Sequence, residues 1–384
     1  MIVRAGVFYD GTLARAASNV HLRIEDGRVV QREAAEGEFD LQAACVTPGL
    51  VNAHVHLEMS GEPDTMGAFA HTTSTQRMLW AVQNAAKSLA AGVTTVRDLG
   101  CSGTIAMELR DAIDAGRVPG PTIRAAGNVL CMTGGHGWFV GRAVDSPWDA
   151  VKGVREQRQG GADCIKLIAT GGVLTKGAVP GIAQLSEEEM RAAVGEACKH
   201  QMRVAAHAIG NEGIKNALRA GVHSIEHGTF LDDEALELFA SSGAYLVPTL
   251  SAPTCILDHA GDGTQPEFVT RKARELGDQM VANITKAFHA GVKIAGGSDA
   301  GTPYNYHENF AAEIELMHTL LGMTPQQALH SATQVSGELV GAGTGTLRIG
   351  DAADMLLLEN DLARDLRTLA SPRVVIKSGR IVSA

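Results

Sequence analysis

Along the middle of the chain, short apolar runs alternate with longer amphipathic stretches. The runs are VTPGLVNAHVH, GVTTVRDLG, TIRAAGNVL, DCIKLIA, RVAAHA, SIEHG, AYLVPTL and KIAGGSD. Between most of them lie segments rich in Ala, Leu, Glu and Lys, at residues 76–91, 187–200, 211–220 and 232–242. Strand-like runs separated by helical stretches are the pattern of βαβ units and a parallel sheet. Runs such as AYLVPTL show no clean polar alternation, as expected of strands that helices cover from outside. Eight such runs fit a closed α/β fold, the (β/α)8 TIM barrel, better than an open sheet. The insert at residues 127–145, with its TGGHG, reads as a loop over one barrel face.

Both ends of the chain break this alternation. The first 47 residues contain GVFYDG and VHLRIEDGRVV, and the tail contains DMLLLEND and RVVIKSGRIV. These are β-like runs punctuated by Asp-Gly and other Gly turn signals. The predicted organisation is a small composite β-sandwich from residues 1–47 and 345–384, around a barrel at residues 48–344.

Composition narrows the class. The 384 residues suffice for a barrel of about 250 residues plus a small accessory domain, and an apolar content of 45% supports a sizeable core. No stretch is long and apolar enough to span a bilayer. The opening MIVRAGVFYDG lacks a basic segment followed by an apolar one, so no signal peptide is expected and the predicted location is cytoplasmic. The six cysteines form no CxxC pair and read as reduced thiols. A net charge of −10 argues against nucleic acid as a partner. The expected partner is a small-molecule substrate, with no membrane.

The candidate chemistry lies at the ends of the apolar runs. His54 and His56 close the first, Lys166 closes DCIK, His207 closes RVAAH, His227 closes HSIEH and Asp299 closes KIAGGSD. Side chains two apart in a strand point the same way, so His-x-His can present two imidazoles to one metal. An isolated His-x-His is weak evidence. Strand ends from across the chain, converging on one barrel mouth, describe a metal site. Lys166 sits in an apolar run before ATGG, a poor setting for an unpaired ammonium. His223 opens the run that His227 closes and belongs at the opposite rim, in a structural role.

The motifs PGLVNAHVHLE, GVTTVRDLG, TGGHG, DCIKLIATGGV, VAAHA, GVHSIEHGT, GGSDAGTPY, GMTPQQALHSAT and GTLRIGDAADMLLLE resemble, in order, those of the amidohydrolase superfamily. The similarity is to its imidazolonepropionase-like and prolidase-like branch of metal-dependent amidases. The resemblance implies a barrel with a composite β-sandwich and a centre of two divalent metal ions, usually zinc. It implies that Lys166 is carboxylated by CO2 to a carbamate bridging the metals. His54, His56 and Asp299 would hold one ion, and His207 and His227 the other. Catalysis would use a metal-bridged hydroxide, with Asp299 as proton shuttle. Relatives are often homo-oligomers.

The resemblance also assigns substrate contacts. His136, in TGGHG, stands where relatives touch substrate, and glycines there permit close approach of a ligand. Phe230 replaces a tyrosine found in many peptidase-like relatives and cannot donate that hydrogen bond. Tyr304 follows the Asp299 turn and is placed at the mouth, with loop packing as its other reading. The expected reaction is hydrolysis of an amide bond in a dipeptide or N-acyl amino acid. A cyclic amide, lactone, carbamate or organophosphate remains an alternative at the same centre, and so does a metal-binding or assembly protein without turnover.

Overall fold

The computed structural model describes residues 1–34 and 36–383. Four strands open the chain: β1 (Ile2–Phe8), β2 (Ala17–Glu25), β3 (Arg28–Ala34) and β4 (Leu41–Pro48). Next come β5 (Leu50–Val55), β6 (Val93–Asp98), β7 (Thr122–Ala125), β8 (Val129–Cys131), β9 (Gly141–Ala143), β10 (Cys164–Ile168), β11 (Arg203–Ala208), β12 (Ser224–His227), β13 (Tyr245–Val247) and β14 (Lys293–Ile294). The tail adds β15 (Met355–Leu358), β16 (Val374–Lys377) and β17 (Arg380–Ser383).

Strands β5 to β14 build the barrel. β5, β6 and β7 pair in parallel, as do β8, β10, β11, β12, β13 and β14. Two seams join these sheets. On one, Asp163 N donates to Ala125 O at 2.7 Å. On the other, Ala53 N donates to Gly296 O, Asp299 N to His54 O and His56 N to Ala300 O, each at 2.9 Å. The third stave is split: β7 pairs with β6, and after a kink β8 pairs with β10. The insert at 127–145, expected to be a loop, therefore also carries β8, β9 and the 3-10 turn Trp138–Val140.

Local sequence explains where the helices start and stop. The helices Ser74–Ala90 and Glu187–Lys199 begin with capping boxes, Thr73 with Gln76 and Ser186 with Glu189. Each pair satisfies two otherwise orphaned N–H groups. Asn211–Ala220 and Asp233–Ser242 end on Gly221 and Gly243, both left-handed, the conformation that a helix-ending glycine adopts without strain. In Glu187–Lys199 the buried residues Met190, Ala193, Val194 and Ala197 recur at the helical period and turn one face to the barrel. Among the described residues, no helix is long and apolar enough to cross a membrane.

The two chain ends share one seven-stranded sheet in the order β17-β16-β15-β4-β1-β2-β3, antiparallel except for β1 with β4. The sheet folds back on itself. The turn at Gly27 meets the turn at Ser378–Gly379, where a β-carbon on Gly27 would lie 2.8 Å from Ser378 O. Leu22, Ile24, Val46, Met355 and Ile376 fill the space between its halves, while Leu356 and Leu358 of β15 join the barrel core.

Gly297 lies on the β14–β5 seam, behind the first histidine. A methyl there would sit 2.5 Å from Val247 Cγ1 and 3.0 Å from His54 N. Gly297→Ala is expected to cost about 1–3 kcal/mol through overpacking, measured as a lower urea midpoint. An unchanged midpoint would show that the seam has slack.

Candidate metal and active site

Six of the residues singled out from the sequence meet at one mouth of the barrel. Asp299 Oδ1 lies 3.4 Å from His54 Nε2 and 3.3 Å from His56 Nε2, and Lys166 Nζ lies 3.3 Å from His54 Nε2. One ligand atom from each of His54, His56 and Asp299 falls within a 4.8 Å cluster. The His207 and His227 rings stand 4.6 Å apart, and His227 is 5.4 Å from His54.

The backbone is bent to aim these groups. His227, Thr249 and Asp299 hold φ of 73°, 50° and 57°, a left-handed conformation costly for non-glycine residues and concentrated at functional sites. Neighbouring groups secure each turn. Thr249 Oγ1 meets His227 Nδ1 at 2.7 Å, and Asn305 Nδ2 donates to Ser298 O at 2.6 Å and to Asp299 O at 3.1 Å. Glu313 accepts from Leu250 N at 2.9 Å and Ser251 N at 2.6 Å, which holds the peptide after Thr249.

Three of the four imidazoles have one nitrogen hydrogen-bonded to the protein. His56 Nδ1 donates to Gly100 O at 3.0 Å, and His227 Nδ1 is engaged by Thr249, so both direct Nε2 to the centre. His207 commits Nε2 to Gly171 O at 3.2 Å, leaving Nδ1. His54 Nδ1 lies 2.9 Å from Glu226 Oε2, a close contact without ideal hydrogen-bond alignment. Committing one nitrogen defines the tautomer and leaves the other as a lone-pair donor.

Glu226 and Arg97 were not singled out from the sequence. Arg97 crosses the barrel interior from β6, nearly solvent-free. It donates from Nε to Ala53 O at 2.7 Å, from Nη1 to Ser224 Oγ at 3.1 Å and from Nη2 to Glu226 Oε1 at 2.9 Å. The order is Arg97, Glu226, His54, then the mouth. The available signal was a charged residue inside VRDLG and another inside SIEHG, since unpaired charges are almost never fully buried.

Burial dominates the electrostatics. It drives Lys166 down to about 8, against the opposing pull of Glu226 and Asp299. It also holds His54 and His207 well below the usual imidazole value and lowers His227 to about 4. For Asp299 burial acts upward, but the surrounding His54 and His56 outweigh it and keep the carboxyl ionised. For His56 burial acts downward, but Asp299 outweighs it and raises the imidazole above its usual value. The centre thus sets imidazole nitrogens around one carboxylate, which is the donor chemistry that zinc takes.

A cavity open to solvent is lined by all six residues and His136. The His136 ring lies 4.5 Å from His207, tilted by 43°, and its Nδ1 meets Thr175 Oγ1 at 2.8 Å. Gly172 is required beside it, because a β-carbon there would lie 2.4 Å from His136 Nε2. Two expected substrate contacts stand elsewhere. Phe230 follows the left-handed turn at His227 and Gly228, bonds through its N to Ile209 O and rests against Gly181, outside the cavity wall. Tyr304 is held off the wall by its ring, stacked 3.8 Å from His259, and by its hydroxyl on Thr264. His223 accepts from Val204 N at 3.1 Å, away from this cavity.

Comparison with known proteins places this centre in a class. The Amidohydrolase family model matches residues 45–382. The chain belongs to that family and is a hydrolytic enzyme. Ochratoxinase of Aspergillus niger is 32% identical over 363 aligned residues, covering 85% of this chain and 73% of the relative. The crystal structure of a Xaa-Pro dipeptidase with bound methionine in the active site superimposes with a TM-score of 0.92 at 34% identity, covering 99% of this chain and 98% of that one. Imidazolonepropionase of Nocardia farcinica is 25% identical over 379 residues, covering 92% of this chain and 84% of the relative.

Breaking the buried Arg97–Glu226 pair leaves one charge without a partner. Arg97→Met and Glu226→Gln are each expected to destabilise the fold by about 3–5 kcal/mol, with much of that loss recovered in the double variant. Denaturant melts of the four proteins measure the coupling. Additive losses would show that the two charges do not act as a pair.

Proposed function

We propose that this enzyme hydrolyses the amide bond of a small N-acyl amino acid or dipeptide bearing a bulky apolar group, using two divalent cations, zinc in the simplest case. The observation that carries the reading is the convergence of His54 Nε2 and His56 Nε2 on Asp299 Oδ1, with Lys166 Nζ 3.3 Å from the first imidazole. His54, His56 and Asp299 would hold one ion. His207 and His227 contribute only two donors to the other, so a third donor, and an anion to separate two cations, must come from elsewhere. Lys166 is in position to supply both as a carbamate. Its amine is buried, no carboxylate among the described residues lies within ion-pair distance of it, and burial favours the neutral form that attacks CO2. The residues fit the metal.

When bound, such ions lower the pKa of water and polarise a carbonyl. The chain's own groups do the rest. Asp299 takes a proton on its carboxylate from the attacking water and passes it to the departing nitrogen. Thr175 Oγ1 receives Gly137 N–H at 3.4 Å and can give its own proton to His136 Nδ1, leaving His136 Nε2–H for the substrate carbonyl oxygen. Val129, Phe139, Val140 and Ile168 line the cavity and favour an apolar substrate body. The resemblance to ochratoxinase and to a Xaa-Pro dipeptidase supports an amide as the target. Six free thiols, four of them buried, support a reducing, cytoplasmic setting, and homo-oligomerisation is proposed from the family pattern.

Lys166→Ala is expected to lose at least one bound ion together with most activity, and a short carboxylic acid should restore part of both. Elemental analysis and turnover on one sample measure this, and full metal content with undiminished turnover would contradict the carbamate. Asp299→Asn should lower kcat by about 10²-fold or more. A metal-replete Asn variant with wild-type kcat would remove Asp299 from proton transfer.

A further inference from the structure

Much of the cavity wall around the histidines is hydrocarbon. Phe139 and Val140 come from the insert after β8, Ile168 from the end of β10, Ile256 from the helix Ser251–Asp258, and Leu276 and Met280 from the helix Glu267–His289. Among the described residues of the wall, the one Lys or Arg side chain is Lys166, which the proposed function commits to the metal centre. The nearby ammonium of Lys272 shares a helix with Leu276 but is spent elsewhere. Its Nζ donates to Gly172 O at 3.2 Å, Thr175 O at 2.7 Å and Ala178 O at 2.6 Å, which uses its three N–H bonds. Lys272 therefore stitches down the loop that carries Thr175, the partner of His136. Lys176, on the same loop, is exposed and outside the wall.

A substrate carboxylate on the hydrocarbon part of this wall, away from the metal centre, would give up water with no Lys or Arg side chain to compensate it, which is unfavourable. A phenyl or alkyl body gains from the same contacts. Asp299 adds a negative charge to the site and no attraction for an anion.

We infer that the enzyme recognises its substrate by an uncharged apolar body and not by a free carboxylate, so neutral amides are hydrolysed at least as well as N-acyl amino acids of the same skeleton. This rests on the amide-hydrolase reading above and narrows it. In the reaction, the oxygen of water bonds to the acyl carbon and the C–N bond breaks. The acid product leaves as a carboxylate, and the amine departs with the protons released.

The test uses the metal-replete full chain with N-benzoylphenethylamine and N-benzoylphenylalanine, amides that differ by one carboxylate. The expected result is a kcat/KM for the neutral amide equal to or above that of the acid. A charged hydrogen bond gripping the carboxylate would instead put the acid ahead by roughly tenfold or more, and any preference for the acid overturns the inference. If neither compound is hydrolysed, the amide-hydrolase reading itself fails, and calorimetric binding of the two intact compounds decides the inference separately. Equal or tighter binding of the neutral compound upholds it. Tighter binding of the acid, or binding of neither, overturns it.

Discussion

A guanidinium buried at the centre of the barrel is the constraint on which the site depends. Arg97 has almost no contact with water, so its charge has to be matched inside the protein. Glu226 matches it, and the carboxylate oxygen not spent on Arg97 lies against His54 Nδ1. Removing either charge exposes the other to a low-dielectric interior, where an unpaired ion costs several kcal/mol. The same carboxylate that neutralises the guanidinium lies directly behind the first imidazole, beneath the histidine, aspartate and lysine arrangement at the mouth. Charge pairing below and donor geometry above are two ends of one network.

The strained turns complete this positioning. Strand alternation places Ser224 and Glu226 on one face, where both meet Arg97, so His227 in regular β geometry would point the other way. Its left-handed φ turns it into the mouth, and Thr249 secures it there. Asp299 enters by a similar turn, held by Asn305. These conformations are costly in isolation and persist because the surrounding hydrogen bonds over-determine them.

These facts explain what was legible in the sequence. His54, His56, Lys166, His207, His227 and Asp299 were legible because each ends an apolar run, and a parallel barrel brings strand ends to one face. Arg97 and Glu226 were not, because a charge inside a strand run does not reveal its partner across the barrel. The face of His227 was also not legible from strand alternation, since a single positive φ reverses it. The β-rich ends were recognisable from their turns, but the fold-back that brings Gly27 against Ser378 is a long-range contact with no local signal. Phe230 was placed by the resemblance and Tyr304 by its neighbourhood in sequence, while the Ile209 hydrogen bond and the His259 stack hold them off the cavity wall. The wall itself comes from helices and an insert far apart in the chain, so its apolar character emerged only in three dimensions. Fold alone does not decide a reaction.

The central claim is that these strand ends hold two divalent ions joined through a carboxylated Lys166. The most direct measurement is anomalous diffraction from crystals grown with zinc and bicarbonate. The account predicts two anomalous peaks, one against His54, His56 and Asp299 and one against His207 and His227, with carboxylate density on Lys166 Nζ reaching both. A single peak beside an unmodified lysine, at full zinc loading, would contradict it.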